Sequence, residues 1–349
     1  MPPTHPAPAP RRVLVTGGAG FVGSHVVDLL LAGGHEVVVL DSLVAHRGDR
    51  PPWLPAAAEL VVGDVRDPEA WGLAAHGVDA VCHQAARVGL GVDFGDVRRY
   101  VDDNDAGTAC GLGALHDAGF RGRLVLASSM VVYGEGRYAC PDHGDARPAP
   151  RTRADLDAGR FDPPCPTCGR PLAWAEIDED AGLDPRNVYA ATKLHQEHLC
   201  TLFGREHGVP VTALRYHNVY GPRMPRDTPY AGVASLFTSA VERGEPPRVF
   251  EDGAQTRDFV HVLDVARANV AALTTAEPVT GPLNVASGTP RTILDMARSI
   301  CDGTGLEPEV VGGGRLGDVR HVVASPRRAE RRLGFRATEP FAPRIPAWT

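Results

Sequence analysis

The chain has 349 residues, a length that fits one large α/β domain or two fused domains rather than a small module. Apolar residues make up 43% and charged residues 23%, so a sizeable core is available and global disorder is excluded. The net charge of −7 argues against nucleic-acid binding, and no apolar run approaches the roughly 20 residues that cross a bilayer.

The first ten residues are rich in Pro and Ala and lack the apolar stretch of a signal peptide. We therefore expect residues 1–10 to be a disordered leader on a cytoplasmic protein. In a reducing compartment, the seven cysteines would be free, metal-bound or redox-active rather than joined in a disulfide framework.

After the leader, short runs rich in Val and Leu alternate with longer helical patterns. The predicted strands are 12–16, 36–41, 59–62, 80–84, 123–128 and 210–215. The predicted helices are 20–32, 68–75, 96–118 and about 188–207. This alternation predicts an α/β fold with a doubly wound parallel sheet, a Rossmann-type domain over residues 11–220. From residue 221 to 349, shorter elements with more Pro and Gly predict a smaller mixed α/β lobe that covers a substrate.

A glycine-rich turn joins the first predicted strand to the first helix. Gly17, Gly20 and Gly23 would allow a tight turn, close approach of the backbone to a pyrophosphate, and close packing of the helix. The helix N-terminus would offer free N–H groups to the phosphates. Asp41 ends the second strand, where a carboxylate can bind a ribose 2′-hydroxyl and repels a 2′-phosphate, which favours NAD over NADP. Asp64 could reach the adenine amine or could cap a turn.

Tyr189 and Lys193 stand four residues apart on a predicted helix and therefore share a face. An ammonium group near a phenol lowers the pKa of the phenol from about 10 toward neutrality, which would make Tyr189 a general base or acid for a sugar hydroxyl. Ser129 follows the fifth strand at the carboxyl edge of the sheet, where its hydroxyl could bond the reacting oxygen or cap the strand.

The segment 135–186 interrupts the alternation of strands and helices. It is polar, rich in Pro, Asp and Arg, and carries three of the seven cysteines, so we interpret it as a long insertion. Cys140 and His143 form a CxxH pair, and Cys165 and Cys168 form a CxxC pair. Two such knuckles can hold one tetrahedral ion, which predicts a structural zinc site; a redox-active CxxC and free thiols are the alternatives.

With these residues in view, the chain resembles the extended short-chain dehydrogenase/reductase family, in its nucleotide-sugar epimerase/dehydratase branch. The resemblance covers about residues 11–340, with the insertion as the main departure. Its motifs are the glycine loop, His83-Gln84-Ala85-Ala86, Asn104 with Gly107-Thr108, Ser128-Ser129, Tyr189 with Lys193, and the runs 214–223, 252–259 and 315–320.

The resemblance implies roles for named residues. Ser129, Tyr189 and Lys193 would be catalytic, and Asn218, Arg257 and Arg315 would bind the substrate diphosphate, with Ser129 and Tyr189 also touching the substrate. The NAD contacts would be Gly17, Gly20, Phe21, Val22, Gly23, Asp41, Asp64, Val65, Gln84, Ala85, Ala86, Asn104, Tyr189 and Lys193. A homodimer, formed through the helix after the fourth strand and the Tyr189 helix, is also implied.

The two positions after Ser129 bear on the reaction. Dehydratases of this branch place an Asp-Glu pair there, UDP-glucuronate decarboxylases a Glu, and GDP-mannose 3,5-epimerases a Cys. Met130 and Val131 are apolar and cannot transfer protons. The resemblance then implies 4-epimerisation, with keto-sugar reduction or a catalytically silent NAD-binding protein as alternatives.

The substrate is less constrained than the reaction. Residues 86–94 and the insertion resemble members of the family labelled dTDP-L-rhamnose 4-epimerase-like. This ranks a dTDP-6-deoxyhexose first and a UDP-hexose or hexuronate second.

Overall fold

The computed structural model describes residues 11–89, 94–226 and 232–343, so the predicted leader at residues 1–10 lies outside the described part. The helices are α1 Phe21–Ala32, α2 Pro68–Ala74, α3 Val97–Tyr100, α4 Gly107–Asp117, α5 Arg153–Asp157, α6 Val188–His207, α7 Val233–Glu242, α8 Val262–Thr274, α9 Ile293–Cys301 and α10 Arg327–Leu333. The strands are β1 Arg12–Thr16, β2 Glu36–Asp41, β3 Glu59–Val62, β4 Ala80–His83, β5 Arg123–Ser129, β6 Arg137–Cys140, β7 Gly144–Ala146, β8 Ala173–Ala175, β9 Val211–Tyr216, β10 Asn218–Tyr220, β11 Arg248–Phe250, β12 Thr256–His261, β13 Gly281–Val285, β14 Pro290–Thr292, β15 Glu309–Gly312 and β16 His321–Val322.

The central sheet has seven parallel strands in the order β13-β9-β5-β4-β1-β2-β3. Its inner strands are buried on both faces, which is why they are continuous apolar runs rather than alternating ones. Helices α1 and α8 cover one face, and α2, α4 and α6 cover the other. The predicted α/β fold with a parallel, Rossmann-like sheet is confirmed, and its carboxyl edge is where ligands bind in this architecture.

The sheet extends beyond the predicted domain boundary at residue 220. Strand β13 pairs with β9, and α8 packs against α1, although both follow residue 221 in the chain. Leu283 and Val285 of β13 are buried in the same core as residues of β1 and β9. This part of the chain after residue 220 therefore belongs to the first domain. The smaller lobe is built from α7, α9 and the strands β10, β11, β12, β14, β15 and β16.

The predicted helix over 96–118 is divided in the structure. Between α3 and α4, residues Val101–Ala106 form a π-helical segment, and wider turns of this kind are frequent at functional sites. The segment contains the fully buried Asn104, whose contacts are described below.

The insertion 135–186 forms a small unit of its own. Its three-stranded antiparallel sheet has the order β7-β6-β8, and α5 follows β7 in the chain. Among the described residues, no helix combines the length and the apolar character that crossing a membrane requires.

Candidate active site

The glycine loop between β1 and α1 leaves no space for side chains. Gly17 has a positive φ of 67°, and a Cβ at Gly23 would lie 2.2 Å from the Gly17 carbonyl oxygen. Gly20 is the N-cap of α1 and has no side chain that could accept hydrogen bonds from the amides of the first turn. The loop thus offers N–H groups and the positive end of the α1 dipole to a diphosphate.

Replacing Gly23 with Ala is expected to remove most of the NAD that copurifies with the protein. The new methyl group would collide with the Gly17 carbonyl, so the loop would have to move away from the pyrophosphate position. Nucleotide released by denaturation can be measured by mass spectrometry. Gly72→Ala is the matched control, because a Cβ there meets nothing within 4 Å and Ala favours a helix. Full NAD occupancy in Gly23→Ala would contradict the loop assignment.

Asp41 and Asp64 are placed differently from one another. The Asp41 carboxylate ends β2 and accepts hydrogen bonds from the backbone N–H groups of Ala19 (3.0 Å) and Leu43 (2.9 Å), which ties the glycine loop to β2. Asp64 is paired with the guanidinium of Arg66, whose hydrogen bonds lower the pKa of this carboxyl. Asp41 therefore borders the glycine loop, whereas the carboxylate of Asp64 forms an ion pair with Arg66.

The side chains of two predicted NAD contacts bond within the protein. The Gln84 amide donates to Asn269 Oδ1 (3.0 Å) and accepts from the Tyr216 hydroxyl (3.1 Å). Asn104 Oδ1 accepts from the backbone N–H of Arg87 (2.7 Å), and Asn104 Nδ2 donates to Thr192 Oγ1.

The other predicted NAD contacts lie after β4, at the start of α1 and after β3. A Cβ at Gly17 would lie 2.8 Å from the backbone nitrogen of Ala85, so the segment containing Ala85 and Ala86 borders the loop directly. Phe21 and Val22 open α1, and Val65 packs beside Gly107.

Ser129, Tyr189 and Lys193 come together at the carboxyl edge of the sheet. Asn187 caps α6 by accepting from the backbone N–H of Ala190 (2.8 Å), which starts the helix just before Tyr189. The Lys193 ammonium lies 6.0 Å from the centre of the Tyr189 ring and donates to the carbonyl of Ala127 (2.9 Å). The Ser129 hydroxyl is near the Tyr189 phenol and favours its ionised form. The expected shared face of Tyr189 and Lys193 is therefore present.

The expectation that the pKa of Tyr189 is lowered is wrong. Burial raises the pKa of Tyr189 to about 12, although the nearby Ser129 hydroxyl opposes this rise. Burial also lowers the pKa of Lys193 to about 8. Desolvation of the phenolate outweighs the nearby cation, because the ammonium donates to a backbone carbonyl rather than to the phenol oxygen.

A buried ion pair that was not predicted from the sequence joins α6 to β9. Glu197 stands one turn after Lys193 and accepts two hydrogen bonds from Arg215 of β9, at 2.9 and 2.8 Å. Ser128 also donates to Glu197. The four-residue spacing from Lys193 to Glu197 on one helix face was the available signal, but the partner strand could not be identified from local spacing.

The predicted substrate residues lie on the second lobe and the strand end facing it. Asn218 starts β10, which pairs with β12, and its buried Oδ1 has no hydrogen-bond partner among the described residues. Burial raises the pKa of the half-buried Asp318 carboxyl, and the positive charges of Arg257 on β12 and of Arg315 oppose this rise. Arg315 lies over the Phe250 ring at 5.3 Å, and Arg257 donates to backbone carbonyls of the second lobe.

The four predicted metal ligands also converge. One potential ligand atom from each of Cys140, His143, Cys165 and Cys168 lies within 4.8 Å of the others. The Sγ atoms of Cys140 and Cys168 are 3.7 Å apart, close to the roughly 3.8 Å that two thiolates on a tetrahedral zinc ion would have with Zn–S bonds of about 2.3 Å. Within the described ranges, no other group of three or more Cys, His, Asp or Glu forms such a cluster.

Comparisons with known proteins bear on this site. A model of the NAD dependent epimerase/dehydratase family matches residues 13–154 and 168–286. A dTDP-L-rhamnose 4-epimerase of Burkholderia thailandensis is 35% identical over 333 residues, which cover 93% of this chain and 90% of that protein. A UDP-glucose 4-epimerase of Corynebacterium glutamicum is 30% identical over 93% of this chain and 90% of its own length. The structure of a Thermus thermophilus UDP-glucose 4-epimerase in complex with NAD superposes with a TM-score of 0.76 at 31% identity, covering 95% of each chain.

Proposed function

Because the chain belongs to the NAD dependent epimerase/dehydratase family, we propose that it is an NAD-dependent nucleotide-sugar 4-epimerase. The observation that carries the proposal is the convergence of Ser129, Tyr189 and Lys193 beside the glycine loop. Met130 and Val131 follow Ser129 and offer no acid or base for elimination, decarboxylation or C5 proton exchange.

The glycine loop fits the cofactor, because only glycine at positions 17 and 23 lets the turn close this tightly: a Cβ would collide with the backbone of Ala85 or of Gly17. The loop with Asp41 would hold the dinucleotide, and Lys193 would bind the nicotinamide ribose. When bound, NAD supplies the hydride acceptor for C4 of the sugar and a positive charge that favours the phenolate.

Residues of the chain then transfer the proton of the sugar 4-hydroxyl. Tyr189 takes the proton of the sugar 4-hydroxyl while Ser129 bonds the same oxygen, and the loss of hydride from C4 leaves a 4-keto sugar. The keto sugar turns about its diphosphate tether and is reduced on the opposite face, with Tyr189 returning the proton to O4. The net result is inversion at C4 with no change in cofactor oxidation state.

A panel of dTDP-, UDP- and GDP-sugars tests this function. The purified protein with NAD is expected to interconvert a 4-epimer pair, which can be followed by chromatography and NMR of the sugar. We rank a dTDP-6-deoxyhexose first, supported by the 35% identical dTDP-L-rhamnose 4-epimerase, and a UDP-hexose or hexuronate second. An unchanged panel together with NADPH consumption on 4-keto sugars would favour a reductase, which the carboxylate of Asp41 disfavours.

We further propose that the insertion binds one structural zinc ion through Cys140, His143, Cys165 and Cys168. The support is their convergence and an N/S donor set with no fifth position reserved for a substrate. A cytoplasmic location, which we also propose, would keep these thiols reduced. A bound ion would stabilise a polar segment with a small core of its own.

Elemental analysis is expected to find about one zinc per chain, as a single tetrahedral site requires. Cys165→Ser should lose the metal and lower the melting temperature, because three ligands bind zinc far less tightly. Cys110→Ser, a half-buried cysteine of α4 outside the cluster, serves as the control and should keep the metal. Near-zero zinc in the unmodified protein, or a disulfide within the cluster, would contradict the site.

We also propose that the protein is a homodimer that associates through the helical run 94–117 and α6. Phe94, Val101 and Leu202 expose large parts of their apolar side chains on these elements. Light scattering should give twice the monomer mass; a monomer at micromolar concentration would overturn the proposal.

A further inference from the structure

One of the links between the insertion and the second lobe is the hydroxyl group of a buried tyrosine; Arg151 of the insertion forms another, through Glu251. Tyr138 of β6 has no exposed surface. Its hydroxyl accepts a hydrogen bond from the backbone N–H of His321 (3.0 Å) and donates to Glu135 Oε2 (3.3 Å). The same Glu135 oxygen accepts from the backbone N–H of Arg320 (2.8 Å). Two consecutive amides at the start of β16 are therefore held by the insertion.

The backbone carbonyls of this same segment accept hydrogen bonds from Arg257. Strand β16 pairs with β12, in the register Arg257 opposite Val322. Arg257 Nη1 donates to the carbonyls of Thr256 and Arg320, both at 2.9 Å, and Nη2 donates to the carbonyl of Val319. Among the described residues, three of the five guanidinium N–H groups are used in this way, and two remain for a ligand.

The insertion meets β16 at very close range. Gly136 has a φ of +81°, and a Cβ there would lie 2.5 Å from the carbonyl oxygen of His321. Asp162 of the insertion also pairs with the guanidinium of Arg320 at 2.8 Å. The backbone that carries the Arg320 carbonyl is thus fixed by the insertion from several directions.

Tyr138 connects this contact to the metal-ligand cluster. It packs with Cys140, Cys165 and Leu172 in the small core of the insertion. Contacts therefore connect the Cys/His cluster through Tyr138 and Glu135 to the backbone at the start of β16. The carbonyls of residues 319 and 320, just before β16, in turn accept hydrogen bonds from Arg257.

We propose that Tyr138 is a positioning residue for substrate binding: through Glu135 and the backbone at 319–321, it sets the direction in which the Arg257 guanidinium meets the substrate diphosphate. A guanidinium binds phosphate through a planar fork, so a small rotation costs contacts. The insertion then governs affinity for the nucleotide sugar and leaves the chemistry at C4 to Ser129 and Tyr189. The inference rests on the proposed function in taking Arg257 as a diphosphate ligand.

Tyr138→Phe tests the proposal, because it removes the hydroxyl and keeps the ring. Calorimetry with dTDP and UDP as probes should show about 5- to 10-fold weaker binding, the scale of one or two lost hydrogen bonds. KM for the sugar substrate should rise by the same factor while kcat stays within twofold, and NAD and zinc contents should not change. Trp174→Phe is the matched control, since Trp174 faces Tyr138 across the β6–β8 ladder without a bond to β16.

Two variants of Glu135 test the same proposal in case Tyr138→Phe folds poorly. Glu135→Ala should weaken dTDP and UDP binding as Tyr138→Phe does, whereas Glu135→Gln, which keeps an acceptor oxygen, should retain more of the affinity. Unchanged affinity in both Tyr138→Phe and Glu135→Ala would overturn the proposal, as would a fall in kcat at constant KM or a loss of zinc in Tyr138→Phe. If neither dTDP nor UDP binds the unmodified protein, the proposal is also overturned.

The probes separate this inference from the function on which it rests. Binding of dTDP or UDP is measured without turnover. A protein that epimerises no sugar of the panel would defeat the proposed function, and the binding test of Tyr138 would still give its answer.

Discussion

Tyr189→Phe is expected to lower kcat by about 10²- to 10⁴-fold, the range that positioned proton transfer contributes. The substitution keeps the ring and removes only the hydroxyl that lies near Ser129. Without it, no group beside O4 can take the proton as hydride leaves C4. The NAD content should change little, because the phenol is only one of the expected NAD contacts and the glycine loop does not involve it.

The measurement is single-turnover and steady-state epimerisation of the sugar identified in the panel, with NAD content determined in parallel. Tyr220→Phe is a suitable control, because Tyr220 is a buried tyrosine of the second lobe whose hydroxyl donates to the carbonyl of Pro340. Retention of full turnover in Tyr189→Phe would remove the catalytic assignment. Since burial raises the pKa of Tyr189 to about 12, turnover by the unmodified protein near neutral pH would also show that the loaded site stabilises the phenolate.

Arg215→Met is expected to destabilise the protein by about 3–5 kcal/mol, because it leaves a buried carboxylate without its partner. The side chains of Arg215 and Glu197 are only 3% and 7% exposed, and two hydrogen bonds join them. Helix α6 carries Glu197 one turn beyond Lys193, so the loss should also loosen the catalytic helix. Urea unfolding followed by circular dichroism measures the change in free energy.

The double variant Arg215→Met/Glu197→Gln is the control for this prediction. It removes the unpaired charge, so it should be more stable than Arg215→Met alone, and the difference measures the cost of the orphaned carboxylate. A loss below about 1 kcal/mol for the single variant would mean that water reaches Glu197 and that the pair does not brace the helix.

The local features of the site followed from spacing alone. The glycine loop, Asp41 at a strand end, and the shared face of Tyr189 and Lys193 depend on residues a few positions apart, whose geometry is set by one turn or one helix. The metal-ligand pairs could be recognised for the same reason, since each knuckle spans four residues. That the two knuckles meet depends on the β6–β7–β8 sheet, which local spacing did not predict.

The alternation of strands and helices determined the parallel sheet, and the residue types determined the candidate chemistry. Only the tertiary structure decided that β13 closes the sheet from beyond residue 220, that Arg215 finds Glu197, and that Arg257 is held by the backbone of β16. It also reversed the expected shift in the Tyr189 pKa, because desolvation depends on everything packed around the phenol. Burial and long-range pairing are properties of the whole fold, and a pattern of neighbouring residues does not contain them.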